Sequence, residues 1–212
     1  MIGGSKRGRP LRAPRGSQTR PTSDRVREAM FDMLASRIDL NGLVVVDLFA
    51  GSGALGIEAL SRGAHSAVFV ERSSTALPAI RANLVATGLD GSRSEVFRGD
   101  AMGFVLRDRR FDVAFVDPPY SFGDWARLLG HLKASLVVLE SSTPVELPAG
   151  WDSLRCKRYG GTLVGLAESV VPSDVPQRHC CFPGELPGSA GAFVEPRCPH
   201  AQSRNPQKKG IS

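Results

Sequence analysis

The stretch Leu43-Val-Val-Val-Asp-Leu-Phe49 runs straight into Ala50-Gly-Ser-Gly-Ala-Leu-Gly56, and that junction constrains the fold more than any other segment. A near-continuous β-branched run is what a strand buried on both faces of a parallel sheet requires. Glycines directly after it let the backbone turn tightly and approach a ligand where a Cβ would not fit. A helical stretch then reaches Leu60 and stops at Arg62-Gly63, a good C-terminal cap. The alternation repeats downstream. Residues 67–70 read as a second strand ending at Glu71, and residues 74–87 as a helix with Leu77, Ile80 and Leu84 on one side. Pro78 falls in its first turn, where it is tolerated. Residues 95–97 and 111–116 read as the third and fourth strands, residues 125–132 as a helix and residues 136–139 as a fifth strand. Residues 154–159 and 162–166, split by Gly160-Gly161, predict a closing antiparallel hairpin. The expected class is α/β: a Rossmann-like, mostly parallel sheet with helices on both faces and ligands at the carboxyl ends of the strands.

The flanks differ from this middle. Residues 1–28 hold eight basic side chains against two acids, which accounts for the whole net charge of +6 in the 212-residue chain. A one-ended positive field of this kind suits a phosphate-binding arm. Residues 1–24 are expected to form such an arm, or a marginal strand or hairpin. Thr22, Ser23 and Asp24 are good helix caps, and Val26, Met30, Phe31, Leu34 and Ile38 make one apolar stripe from which Arg25, Arg27 and Arg37 are excluded. Residues 169–212 carry seven prolines and four glycines with almost no periodicity, and are expected to be a poorly ordered tail. No apolar run is long enough for a membrane span, and the basic start lacks the apolar segment of a secretory signal, so a cytoplasmic protein is expected. The four cysteines, Cys156, Cys180, Cys181 and Cys198, are expected to be free there. His179-Cys180-Cys181 and Cys198-Pro-His200 fit no usual zinc spacing, so no metal is expected.

Two segments carry chemistry. Gly51, Gly53 and Gly56 satisfy the G-x-G-x-x-G pattern, with Glu71 twenty residues beyond Gly51. Alone, that pattern fits a dinucleotide equally well. Asp47 argues otherwise, because a strand-end carboxylate repels a pyrophosphate and suits a cation such as S-adenosylmethionine, with its ammonium and sulfonium. Glu71 can then accept both ribose hydroxyls, and Asp100 at the third strand end can take the adenine amino group. The second segment is Asp117-Pro-Pro-Tyr120. Exocyclic amines of bases are poor nucleophiles because the nitrogen lone pair is delocalised into the ring. The Asp117 side chain and the Pro118 carbonyl can accept the two N–H bonds and favour a pyramidal nitrogen. Pro118 and Pro119 fix the backbone, so little reorganisation is needed in the transition state. Tyr120 offers a flat face on which the base can stack.

These residues bring the chain to a known family. Thr19-Arg-Pro-Thr-Ser-Asp-Arg-Val-Arg-Glu-Ala29, the glycine loop, Leu60-Ser-Arg-Gly-Ala64, Asp117-Pro-Pro-Tyr120 and Arg158-Tyr-Gly160 occur in one order. Together they resemble the bacterial small-subunit (16S) rRNA guanine-N2 methyltransferases, over about residues 2–168. The resemblance implies a class I methyltransferase domain over residues 25–168. It implies that Asp47, Phe49, Gly51, Ser52, Gly53, Glu71, Asp100 and Ala101 line the pocket for S-adenosylmethionine. It implies that Asp117, Pro118, Pro119 and Tyr120 hold the target guanine, and that the basic residues Arg7, Arg9, Arg20, Arg25 and Arg27 contact the RNA. The implied partner is ribosomal RNA or the small ribosomal subunit; nothing in the sequence demands a dimer, and a monomer is expected. The 120–140 segment is shorter than usual for that family, and the tail has no counterpart in it.

Other readings compete. Adenine-N6 and protein-glutamine methyltransferases use a similar motif that more often begins with Asn. A non-catalytic RNA-binding protein would show salt-sensitive RNA binding without turnover, and a nicotinamide-dependent oxidoreductase would rest on the glycine pattern alone.

Overall fold

A computed structural model describes residues 1–14 and 24–170. After an N-terminal 3-10 turn at Gly4–Lys6, the elements are α1 (Asp24–Ala35), β1 (Val44–Leu48), α2 (Ala54–Ser61), β2 (Ser66–Glu71), α3 (Leu77–Thr87), β3 (Ser94–Arg98), α4 (Ala101–Val105), β4 (Arg110–Val116), α5 (Trp125–His131), β5 (Lys133–Ser141), β6 (Trp151–Tyr159) and β7 (Thr162–Ser169). One sheet has the order β3-β2-β1-β4-β5-β7-β6. The first five strands pair in parallel, and β7 joins antiparallel to both β5 and β6. The strand order reverses between β1 and β4, which opens a crevice at their carboxyl ends.

Alternation along the strands divides the core into two layers. Val45, Phe69, Phe115 and Val138 pack with Met30, Phe31 and Leu34 of α1, Ile57 of α2 and Ile80 of α3. Val46, Val68, Ala114 and Val137 face the other way, onto Phe104 of α4 and Leu128 and Leu129 of α5. Helices therefore cover both faces, as the β-branched strands require.

Of the two expected forms of the N-terminal segment, arm or hairpin, the hairpin is not seen: among the described residues 1–14 there is no strand or hairpin, and the chain is bound to α2 and α3 instead. Glu58, fully buried, accepts the Ile2 and Gly3 N–H groups at 2.9 and 2.6 Å. Ser61 Oγ accepts from Lys6 N–H and donates to the Gly3 carbonyl. Buried Asn83 exchanges two hydrogen bonds with the Arg12 backbone and donates a third to the Ser52 carbonyl. A Cβ at Gly4 would lie 1.9 Å from the Ser61 carbonyl oxygen, so the close approach needs glycine. Polar groups on α2 and α3 thus supply partners that a hairpin would have provided internally.

Other differences are smaller. β5 runs for nine residues, so the 120–140 segment has a short helix and a long strand. α3 begins at Leu77 rather than at residue 74, and α1 ends at Ala35, before Ile38. Arg27, read as lying outside the apolar stripe, is buried at 7% exposure. Arg20, the cap candidates Thr22 and Ser23, and the His and Cys pairs of the tail lie outside the described residues. No helix among the described residues is long and apolar enough to cross a membrane.

Candidate functional site

A cavity of about 670 Å³ opens at the carboxyl ends of the central strands. Asp47, Phe49, Gly51, Ser52, Glu71, Asp100 and Ala101 line one end, and Asp117, Pro118, Pro119 and Tyr120 the other. Gly53 is buried behind the first group as the residue preceding α2. The two motifs, some seventy residues apart in the chain, meet because β1 and β4 are paired neighbours.

The glycine loop is shaped by backbone geometry. Phe49, Gly51 and Gly53 all have positive φ, at 64°, 55° and 78°. For Phe49 that is a strained conformation for a bulky L residue, and such strain gathers at functional sites. Its ring meets Phe122 edge-on, with centroids 5.2 Å apart, and Phe122 meets Trp125 in the same way. Gly56 is needed for packing, since a Cβ there would stand 2.4 Å from the Phe69 ring.

Each carboxylate on this side also holds the scaffold. Asp47, 1% exposed, accepts the Gly56 N–H at 2.9 Å and so caps α2 from the strand below. Burial pushes its carboxyl well above the usual carboxylate range; the Gly56 N–H opposes this, and the Asp117 and Glu71 carboxylates add to it. Glu71 accepts the Gly51 N–H at 2.8 Å and the Ser73 N–H at 2.7 Å, one on each oxygen. Asp100 caps α4 by accepting both the Met102 and Gly103 N–H groups on Oδ2.

Across the cavity, Pro118 is buried and Asp117 half-buried, while Tyr120 is 61% exposed. The Tyr120 hydroxyl lies 3.4 Å from Thr162 Oγ1 at the tip of the β6–β7 hairpin. The hairpin therefore buttresses the motif from outside.

Among the lining residues not assigned to the pocket from sequence, two are charged and buried. Glu140, 5% exposed, stands near the end of β5, and Arg27 reaches in from α1. In sheet order, β3, β2, β1, β4 and β5 each bring one carboxylate to their carboxyl end: Asp100, Glu71, Asp47, Asp117 and Glu140. Glu140 follows the apolar run of β5 just as Asp47 closes that of β1, which is the signal that could have found it.

The basic residues scatter. Arg7 and Arg9 are exposed, and Arg9 donates to the Ala86 carbonyl. Arg27 pairs with Asp24 at 2.7 Å and faces the cavity rather than an outer surface. Arg25 lines a separate groove of about 340 Å³ with Arg155, Lys157 and Tyr159 of β6 and Glu28 and Asp32 of α1.

Known proteins resemble this chain in sequence and fold. The family described as conserved hypothetical protein 95 matches residues 1–168. The chain belongs to that family. It is 38% identical over 180 residues to YlbH of Bacillus subtilis, covering 78% of this chain and 96% of that protein. It is 37% identical over 172 residues to ribosomal RNA small subunit methyltransferase D of Escherichia coli, covering 76% and 84%. The solved structure of yhhF from Escherichia coli superposes with a TM-score of 0.69 at 34% identity, covering 80% of this chain and 96% of that one. The resemblance to the small-subunit rRNA methyltransferases drawn from the motifs therefore holds, and so does the class I methyltransferase fold.

Proposed function

We propose that this member of the family transfers a methyl group from S-adenosylmethionine to the exocyclic N2 of a guanine in small-subunit ribosomal RNA. The observation that carries the reading is the meeting of the glycine loop and Asp117-Pro-Pro-Tyr120 in one cavity. A volume near 670 Å³ suits a nucleoside-sized ligand with room for a base beside it. The carboxylates of Asp47, Glu71 and Asp100 fit a donor that carries cationic, ribose and adenine groups. When bound, the donor supplies a methyl already activated on sulfur.

The chain's own residues do the rest. Asp117 and the Pro118 carbonyl accept the two N–H bonds of the amine and localise its lone pair. Asp117 is also the acceptor for the proton that the nitrogen sheds. The rigid Pro118-Pro119 backbone keeps both acceptors in place, so alignment is met before reaction. Tyr120, exposed at the rim, can stack on an unpaired base drawn from a loop. Arg7, Arg9, Arg20 and Arg25 are proposed to contact phosphates, joined by Arg155 and Lys157 across the groove from Arg25. Arg27, being buried, serves the cavity itself. The working place is the cytoplasm, where the relatives' ribosomal RNA substrate resides.

The test is transfer of labelled methyl from S-adenosylmethionine to unmodified small-subunit rRNA, small subunits, duplex DNA and a protein extract. Label is expected in the rRNA or subunit fraction. Label confined to DNA or protein would replace this reading with the adenine or glutamine one.

A further inference from the structure

Donor pocket and base-holding motif rise from neighbouring strands. Leu48 and Val116 are the last residues of β1 and β4 to pair, and each loop leaves the sheet directly beyond them. The sheet therefore fixes where the two loops begin. Methyl transfer also needs their far parts held at a set separation, because attack on a sulfur-bound methyl requires a near-attack geometry. A ring contact joins those far parts. Phe49 on the glycine loop meets Phe122 edge-on, with centroids 5.2 Å apart and planes at 64°. Phe122 also closes the turn that carries Tyr120, donating its N–H to the Pro119 carbonyl at 2.8 Å. Its ring meets Trp125 as well, at 5.3 Å and 83°. Trp125 opens α5, which Leu128 and Leu129 anchor in the core.

Resting on the methyl-transfer reading above, we infer that Phe122 is a positioning residue: its ring clamps the Tyr120 turn to the donor loop and sets the distance from base to methyl. Edge-to-face pairs owe their preference to the ring quadrupole, so the contact holds an angle as well as a separation. Phe49 has a positive φ, a conformation that a bulky residue keeps only where its surroundings over-determine it, and Phe122 belongs to those surroundings. Among the described residues that line the cavity Phe49 is present and Phe122 is not, so Phe122 acts through its neighbours. The three rings are half-buried and pack against the second core layer from its edge. Losing the Phe122 ring should leave the fold and each binding site standing while loosening their mutual placement. The loss then falls on the chemical step rather than on binding, and a misplacement of about 1 Å can cost about 10²-fold in rate.

The test is single-turnover methyl transfer to small subunits at saturating donor, followed on whichever nucleoside wild type labels. Phe122→Ala is expected to slow that step about 10- to 100-fold. Its S-adenosylhomocysteine affinity by calorimetry and its KM for subunits should stay within about threefold of wild type, which keeps a merely structural defect apart. Phe122→Tyr, which retains the ring, should recover the rate to within about threefold. Phe49→Leu removes the other half of the contact. The double variant should be no more than about threefold slower than the slower single variant, because both changes remove one interaction. A Phe122→Ala rate within about threefold of wild type, or single effects that multiply in the double variant, would overturn the role of Phe122. So would a fall in donor affinity or in the folded fraction large enough to account for the lost rate. Label on a base other than guanine would overturn the guanine reading, while the Phe122 variants still decide this role on that base. No transfer at all by wild type would overturn both.

Discussion

The two ends of the cavity are built on different plans. At the glycine-loop end, Asp47, Glu71 and Asp100 each hold backbone N–H groups of the scaffold: the start of α2, the loop with Ser73, and the start of α4. At the Asp117-Pro-Pro-Tyr120 end, the motif stands on the tip of β4, stiffened by its own prolines and touched from outside by Thr162. The first end should not be altered without disturbing the fold, because its carboxylates hold backbone N–H groups of the scaffold. The second reaches solvent at Pro119 and Tyr120, and its side chains are expected to tolerate alteration at smaller cost to stability. One end is preorganised by the core, the other by local covalent geometry.

The largest effect that sharpens this contrast is expected at Asp117. Replacing it by alanine should lower kcat for methyl transfer by about 10²- to 10³-fold, the scale for losing one preorganised polar partner of a transition state. Donor affinity by calorimetry and the melting temperature should stay near wild type. A parallel loss of folding would erase the distinction between the two ends.

Next comes Asp47→Ala. It removes the acceptor for the Gly56 N–H, so denaturant unfolding should show a loss of about 1–2 kcal/mol, the scale of a lost helix cap. Donor affinity should fall with it, by about tenfold or more, because a cationic group loses its carboxylate. Weakened binding without loss of stability would show that capping and recognition are separable.

The pH dependence follows from the same residue. The folded-state pKa of Asp47 is raised by burial, so its favourable contribution to stability is complete below the usual carboxylate range and is lost as pH rises through the raised value. A cationic donor favours the ionised form. Donor affinity should therefore climb with pH across that window, by up to about tenfold per unit, with a proton released on binding. Calorimetry in buffers of different ionisation enthalpy reads that proton, and the Asp47→Asn variant should release none.

The smallest effect is expected at Tyr120→Phe. The stacking face remains and only the 3.4 Å contact with Thr162 is lost, so kcat/KM on subunits should change by less than about threefold. Tyr120→Ala, which removes the face, should raise KM more than it lowers kcat.

How much of this was legible in sequence depends on the range of the interactions. The parallel strands announced themselves, because residues such as Val45, Val46 and Leu48 must be apolar on both faces. The glycine loop and Asp117-Pro-Pro-Tyr120 were legible because their chemistry is local. α4 was missed, since five residues are too few for a helical period to show. The docking of the N-terminal segment depends on Glu58, Ser61 and Asn83, some 55 to 71 residues away, and no local pattern records such partners. Arg27 illustrates the same point. Its place on the helix reads as polar surface, yet α1 packs so that this side chain turns to the cavity. Glu140 looked like the end of a strand and became part of the site only when β5 lay beside β4.

The most direct test of the account is nucleoside mass spectrometry on small-subunit rRNA incubated with the purified protein and S-adenosylmethionine. N2-methylguanosine is predicted, formed in proportion to enzyme and absent with Asp117→Ala. N6-methyladenosine in its place, or methylation that survives the loss of Asp117, would contradict it.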